Sequence, residues 1–299
     1  MFVVLQSCSD RIDLRDGTEE SKLVIEAVIC SDENSSNARL STSVIINSQN
    51  QEFLFPTDAE IWLVDLENSA EFKYKYDDEE EIYTAEDLEI IPGHFYKITV
   101  EMENTAYRQI SAVTQVPLKS TIEEITELNN STIENPNFES YKKSLEYQIK
   151  ISEPLEFPTF YRLDVWRKDA IYNGEGEVTW DGESLIHFEN FQISNGGNAI
   201  LELNHMDGML IDASKLEDNT LVISFETDEL VENINVFEDL IFNLQTIDSE
   251  FYTYHWTTSR ELEAQGTSFN QPVNAYTNVD NGFGLFGSMS ETINVVSVE

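Results

Sequence analysis

The sequence predicts a mainly β protein, with an N-terminal immunoglobulin-like β-sandwich followed by a second β-rich domain with one or two helices. Three observations lead to this prediction. Apolar and polar residues alternate in short segments between residues 21 and 117, and a period of two is typical of half-buried strands. Turn residues such as Pro92-Gly93 separate these segments. One later segment, 249–265, changes to a helical spacing.

The N-terminal unit, residues 21–117, contains seven alternating segments. About seven short strands with turns between them are the pattern of an immunoglobulin-like sandwich. The acidic run 77–81 lies between two aromatic strand patterns and is predicted to form a hairpin tip. The predicted strands are 23–29, 39–46, 59–65, 71–76, 81–84, 94–101 and 109–114.

The stretch 118–144 is polar and rich in Glu, Asn, Ser and Thr. Ile122, Ile125 and Leu128 have helical spacing, so we interpret the stretch as a linker with one short helix. The C-terminal domain, 145–299, has predicted strands at 145–151, 160–166, 199–203 and 220–225. The aromatic helix at 249–265 is expected to pack its rings against the sheet of this domain.

Leu5-Gln6-Ser7-Cys8 has the pattern of a lipobox, the cleavage and lipidation site of a bacterial lipoprotein. We therefore expect residues 1–7 to be the remnant of a signal peptide whose leader is shortened, which leaves open whether Met1 is the true start. Cys8 is then lipidated and 8–20 form a tether. The alternative is a structural thiol at Cys8.

The chain carries 57 acidic and 17 basic residues, a formal net charge of -40. Nucleic-acid binding requires a basic surface, so this class of partner is excluded. No stretch approaches the ~20 apolar residues of a membrane-spanning helix. With Cys8 assigned to lipid, Cys30 stands alone and is expected to be a small buried apolar residue at the end of a strand.

No residues form a recognisable catalytic or metal site, and no cofactor is expected. His94, His187, His205 and His255 fall in separate segments without a ligand spacing. A hydrolase would need two acids ~5–9 Å apart, and among 57 acids the sequence selects no pair. The sequence therefore predicts no catalytic residues and leaves the ligand unknown.

Residues 272–287, PVNAYTNVDNGFGLFG, carry the most distinctive pattern of the chain. A proline-led strand runs into an Asn-x-x-Asn-Gly-x-Gly-x-Phe-Gly turn, in which we expect the glycines to adopt positive φ and Phe283 and Phe286 to be buried. This pattern resembles the closing motif of a Bacteroidetes lipoprotein family, domain of unknown function 4249. Cys8, the first strand, Leu40-Ser41-Thr42-Ser43 and the Pro92–Tyr96 stretch are similar to that family as well.

The resemblance implies an outer-membrane lipoprotein that associates with TonB-dependent transporters. Asp10, soon after Cys8, is similar to the surface-export signals of these bacteria. The leading hypothesis is a non-enzymatic, lipid-anchored surface protein that binds a ligand or serves such a transporter. Two alternatives stay open, namely a polysaccharide hydrolase that uses an acid pair and a structural adhesion module.

Overall fold

The computed structural model describes residues 21–43, 54–102, 109–135, 140–152, 159–173, 175, 177–186, 191–195, 197–202, 208–226, 230–231, 235–265 and 275–298. These residues form nineteen strands in three sheets and one α-helix, α1 (Ser249–Gln265). The strands are β1 Leu23–Cys30, β2 Ser35–Thr42, β3 Glu60–Asp65, β4 Glu71–Lys73, β5 Lys75–Asp77, β6 Ile82–Glu86, β7 Phe95–Glu101, β8 Ile110–Gln115, β9 Ile122–Asn135, β10 Ser140–Ile151, β11 Phe160–Tyr172, β12 Val178–Leu185, β13 Phe191–Ile193, β14 Ile200–Glu202, β15 Met209–Asp212, β16 Thr220–Glu226, β17 Leu230–Val231, β18 Asn235–Ile247 and β19 Phe283–Ser297.

The N-terminal unit is a β-sandwich, as the alternating sequence pattern predicts. One layer is the sheet β4-β3-β7-β8, and the other contains β19-β1-β2-β6-β5. Inward-facing residues from both layers, including Ile25, Leu63 and Tyr96, are buried in one core. Alternation therefore identified the core face of β1, β3 and β7 correctly.

The predicted strand 71–76 is divided at Tyr74. β4 pairs with β3 in one layer, whereas β5 pairs with β6 in the other. Tyr74 is buried where the chain crosses between the layers, and its hydroxyl donates to Ser36 Oγ over 2.9 Å. β5 and β6 are joined by the acidic turn after Asp77, so the predicted hairpin tip is confirmed.

A second sandwich follows, and its core lies between β10 and β16 on one side and β11 and β18 on the other. The two sandwiches share β19. Residues 283–289 of this strand run parallel to β1, and residues 289–297 run antiparallel to β18. A single ten-stranded sheet thus extends through both units.

The prediction of a linker with a short helix at 118–144 is wrong. β9 and β10 occupy most of this stretch and pair with each other from Ile122↔Ile151 to Asn135↔Ser140. Among the described strands β9 pairs with β10 alone, and its residues 123–129 are largely exposed. An edge strand with little burial keeps the polar composition of a loop, which concealed it.

The closing motif is also different from its prediction. Gly284 and Gly287 lie inside β19 rather than in a loop, and Gly284 alone among the three glycines has a positive φ, of 107°. Phe286 is fully buried in the N-terminal core, as predicted, but Phe283 is 41% exposed. Phe283 begins the strand and stacks under the Lys22 ammonium instead of entering the core.

Two further predictions are confirmed. α1 spans the residues expected from the aromatic periodicity, and Phe251 is buried against Ile247 and Leu285. Cys30 ends β1, is buried, and has a pKa raised to about 12 by that burial. No helix in the described ranges is long and apolar enough to cross a membrane.

Candidate functional site

An open trough crosses the outer face of β1 and β2, the face that points away from the sandwich core. Two adjoining cavities of about 390 and 360 Å³ form it, and both are lined by Glu26 and Arg39. Outward-facing polar side chains of β2, among them Asn37 and Ser41, complete the floor. Small-molecule sites occupy about 300–1,000 Å³, so each cavity is of useful size.

One wall of the trough is α1. The helix is held against β19 because Gly287 leaves no side chain between them: a Cβ there would lie 3.2 Å from Phe251. Tyr252 stacks on Phe160 with ring centroids 4.1 Å apart, which fixes the rotation of the helix. Tyr254 and His255 consequently line the trough.

Glu26 and Tyr254 connect the floor to this wall. The Tyr254 hydroxyl donates to Glu26 Oε1 over 2.9 Å. Burial and the neighbouring Glu26 carboxylate raise the pKa of Tyr254, so its hydroxyl stays protonated and remains a donor.

Arg39 lies directly opposite Glu26 in the β1–β2 ladder, yet the two side chains form no salt bridge. Within the described part of the chain, the Arg39 guanidinium has no ion pair and no side-chain hydrogen bond. This is notable in a chain where acids outnumber bases by 57 to 17. The exposed guanidinium offers five N–H donors to a ligand at the centre of the trough.

The opposite wall is the β5–β6 turn together with Phe55, which is 68% exposed. Asp77 Oδ1 accepts hydrogen bonds from the N–H groups of Glu79 and Glu80 and so shapes the turn. Glu81 has a left-handed φ of 56°. Glycine or asparagine adopts this conformation at lower cost, so the backbone alone does not favour a glutamate here.

A separate cluster consists of Asp65, Glu67 and His94, whose possible ligand atoms lie within 4.8 Å of one another. Asp65 Oδ2 is 2.9 Å from His94 Nδ1, and Asp65 Oδ1 accepts from the N–H of Glu67. Glu67 in turn accepts from the N–H of Phe95. Burial by itself would raise the pKa of Asp65, but the hydrogen bonds that its carboxylate accepts, first that from His94, lower the pKa below its ordinary value. The cluster joins the turn after β3 to the start of β7.

A third polar group lies at the junction of the two sandwiches. Asp248 is buried and immediately precedes α1: its Oδ1 accepts from the N–H of Phe251, and its Oδ2 accepts from the Thr114 hydroxyl and from the N–H of Ser288. Burial raises its pKa to about 6, although these hydrogen bonds oppose the shift. Asp248 lines a cleft of about 310 Å³ between the units, with Thr159 on the far side.

Hydroxyls of β19 extend this junction. Ser288, Ser290 and Thr292 alternate along the strand and donate to the carbonyls of Gln115, Pro117 and Ser120, over 2.9, 2.8 and 2.6 Å respectively. The connecting segment between the sandwiches is thereby bound to the strand they share. These contacts could not be predicted from local sequence patterns because the partners lie more than 170 residues apart.

The residues singled out from the sequence are distributed as follows. Cys8, His187 and His205 lie outside the described residues. His94 belongs to the Asp65 cluster, and His255 lines the trough. Sequence reasoning missed Arg39, Glu26 and Tyr254 as a group; an arginine at an outward position of an alternating strand was the available signal.

Comparisons with known proteins give one strong result. No curated protein matches the sequence. A solved segment of two fibronectin type-III domains from chicken tenascin matches with 9% identity over 94% of this chain and 100% of that chain, with a TM-score of 0.21. The sequence pattern of one protein family, described as a domain of unknown function (DUF4249), matches residues 10–294. Because the match spans almost the whole chain, the protein belongs to the DUF4249 family.

Proposed function

We propose that this protein is a lipid-anchored outer-membrane surface protein that captures a ligand in the Arg39 trough and serves a TonB-dependent transporter. The observation that supports it most directly is the trough itself: a fixed polar floor, an aromatic wall and a guanidinium that no described residue pairs with. Such concave sites with a few convergent polar groups are typical of ligand-binding proteins.

Anchoring is supported by the lipobox at Cys8 and by the family resemblance. Two or three acyl chains, as lipoprotein processing supplies, are sufficient for stable membrane attachment.

Fractionation of cells expressing the full chain tests the anchor. We expect Cys8→Ala to release the protein from the membrane fraction, and globomycin to block maturation of the unaltered chain. Cys30→Ala is the matched control, because it removes the other cysteine and leaves the lipobox intact. Membrane retention of Cys8→Ala would contradict the proposal.

The transporter association is tested by crosslinking in intact cells followed by purification. Recovery of an outer-membrane barrel with the unaltered chain, but not with the released Cys8→Ala variant, is expected. Recovery of surface proteins without any barrel would favour the adhesion module instead.

A hydrolase has less support. Burial raises the pKa of the Glu33 and Asp248 carboxyl groups, the property that an acid of a hydrolase needs. They line different clefts, the trough and the junction, so they do not form an acid pair. Both oxygens of Asp248 are also occupied by hydrogen bonds that hold α1 and β19.

A further inference from the structure

We propose that the Arg39 trough binds a neutral, hydroxyl-rich ligand, a short oligosaccharide without ionised groups. This inference rests on the proposed function and specifies the chemical class of its ligand. It depends on the charges of the trough, on the arrangement of its donors and acceptors, and on its aromatic wall.

The charges of the trough disfavour an anion throughout and a cation at its centre. Four carboxylates, those of Glu26, Glu33, Glu80 and Glu81, surround the single guanidinium of Arg39. An anionic ligand would meet carboxylates towards both walls, and it would approach a chain with a formal net charge of -40. Like charges brought together in a binding site weaken affinity by more than about tenfold.

Glu33, at the edge of the trough, also faces a carboxylate from outside it. Burial and repulsion from the Glu291 carboxylate raise the pKa of Glu33. A further carboxylate from a ligand would add to this repulsion. The carboxylates attract a cationic ligand towards the walls, but Arg39 lies where the two cavities meet and repels a positive charge placed at the centre, so the centre of the trough suits an uncharged group.

A hydroxyl group suits the trough because it donates and accepts at the same time. On β2 the Arg39 guanidinium and the Asn37 amide are available as donors, and across the ladder the Glu26 carboxylate is an acceptor. Neighbouring hydroxyls of a sugar ring can therefore accept from Arg39 and donate to Glu26 without an ionised group in the ligand.

The wall contributed by α1 suits the apolar face of a sugar ring. Tyr254 and His255 stand edge to face, with ring centroids 5.2 Å apart and planes at 89°. The hydrogen bond from Tyr254 to Glu26 fixes a ring and a carboxylate before any ligand arrives, which lowers the entropy lost on binding.

The test is calorimetric titration of the intact protein with three kinds of probe: neutral hexasaccharides of glucose, mannose and xylose, oligogalacturonide as the acidic sugar, and hexalysine as the cationic peptide. We expect at least one neutral hexasaccharide to bind, with an affinity that changes less than about twofold between roughly 50 and 500 mM NaCl. No binding by any neutral hexasaccharide would overturn the proposal, and so would tighter binding of either charged probe.

Two substitutions locate the binding. Arg39→Gln removes the guanidinium at the centre of the trough. Tyr254→Phe keeps the ring but removes the hydroxyl that donates a hydrogen bond to Glu26. Each is expected to weaken binding by about fivefold or more, which is about 1 kcal/mol. Lys150→Gln, an exposed charge on β10, is the control and should leave the affinity unchanged. Equal effects of Arg39→Gln and Lys150→Gln would overturn the assignment to the trough.

The outcomes separate this inference from the proposed function. If Cys8→Ala releases the protein and a barrel is recovered, while no neutral sugar binds, the ligand class is wrong and the surface function stands. If a neutral sugar binds through Arg39 but Cys8→Ala stays in the membrane, the ligand class stands and the anchor is wrong.

Discussion

Asp248 accepts a hydrogen bond from the backbone N–H of Ser288 over 2.6 Å, and its Oδ2 lies 2.8 Å from the Ser288 hydroxyl oxygen. Asp248 precedes α1, and Ser288 lies in the half of β19 that pairs with β1. One buried carboxyl group therefore joins the helix to the strand shared by both sandwiches.

This contact predicts a pH dependence of stability. Burial raises the pKa of Asp248 from 3.8 to about 6, so the folded protein binds the proton more tightly than the unfolded chain. The stabilisation is complete below about pH 3.8 and is lost as the pH rises through about 6. A shift of about two units corresponds to about 3 kcal/mol.

Urea unfolding at several pH values measures this effect. Many other carboxylates titrate in the same range, so the relevant quantity is the difference between the unaltered protein and Asp248→Asn. Glu250, in the first turn of α1, accepts a hydrogen bond from the Tyr276 hydroxyl. Both proteins keep this neighbouring carboxyl group, so it does not contribute to the difference. We expect the free energy of unfolding of the unaltered protein to fall relative to Asp248→Asn between about pH 4 and 7. A constant difference would contradict the assignment.

Gly284→Ala is expected to be severely destabilising. Gly284 has a φ of 107°, and a Cβ there would lie 1.9 Å from the carbonyl oxygen of Ile25. We expect a loss of at least about 3 kcal/mol, or failure to fold, because the backbone of β1 would have to move. Gly197→Ala is the matched control: its φ of 46° is also positive, but nothing lies within 4 Å of the added Cβ. Similar unfolding midpoints for the two variants would show that the contact at Gly284 is unimportant.

The N-terminal sandwich is expected not to fold without the C-terminal strand. Phe286 of β19 is fully buried in its core, and β1 has β19 as one of its two ladder partners. A fragment of residues 21–117 should show no cooperative thermal unfolding, because loss of a buried phenylalanine alone costs about 3–5 kcal/mol. The same fragment with 278–298 attached by a flexible linker should regain it. Cooperative unfolding of the short fragment would contradict this.

Cys30 should be unreactive in the folded protein. Its side chain is buried and its pKa is raised to about 12, so almost no thiolate forms at neutral pH. In the Cys8→Ala variant, we expect no reaction with a disulfide-exchange reagent until denaturant is added, after which the remaining thiol reacts. Rapid modification without denaturant would show that the end of β1 opens readily.

The sequence predicted those elements in which buried residues recur at the regular spacing of a strand or a helix. β1 alternates because one face enters the core, and α1 shows its aromatic stripe because it packs on one side. β9 was not predicted because the residues of an exposed edge strand need not alternate between apolar and polar. β19 was not predicted as a strand either. The polar and glycine residues of its first half fit contacts with β1 and Asp248, which are distant in sequence.

The trough was not predictable for a related reason. Glu26 and Tyr254 are 228 residues apart, and their contact depends on how α1 docks on β19. Sequence inspection proposes functional residues when their types or spacing are unusual, as in the pattern that predicts lipidation at Cys8. A tyrosine, a glutamate and an arginine in three separate segments are ordinary residues until the fold brings them together.

The parallel pairing of β1 with β19 has a mechanical consequence. Val24 to Cys30 align with Phe283 to Met289 in the same direction. If the chain is held at its beginning and pulled through a partner bound to its C-terminal sandwich, the force acts along these two strands. When two strands are pulled along their length, the hydrogen bonds between them share the load and break together. When a hairpin is pulled apart from one end, its hydrogen bonds break one at a time. The strand pair is thus oriented to resist tension between the start of the chain and its C-terminal sandwich.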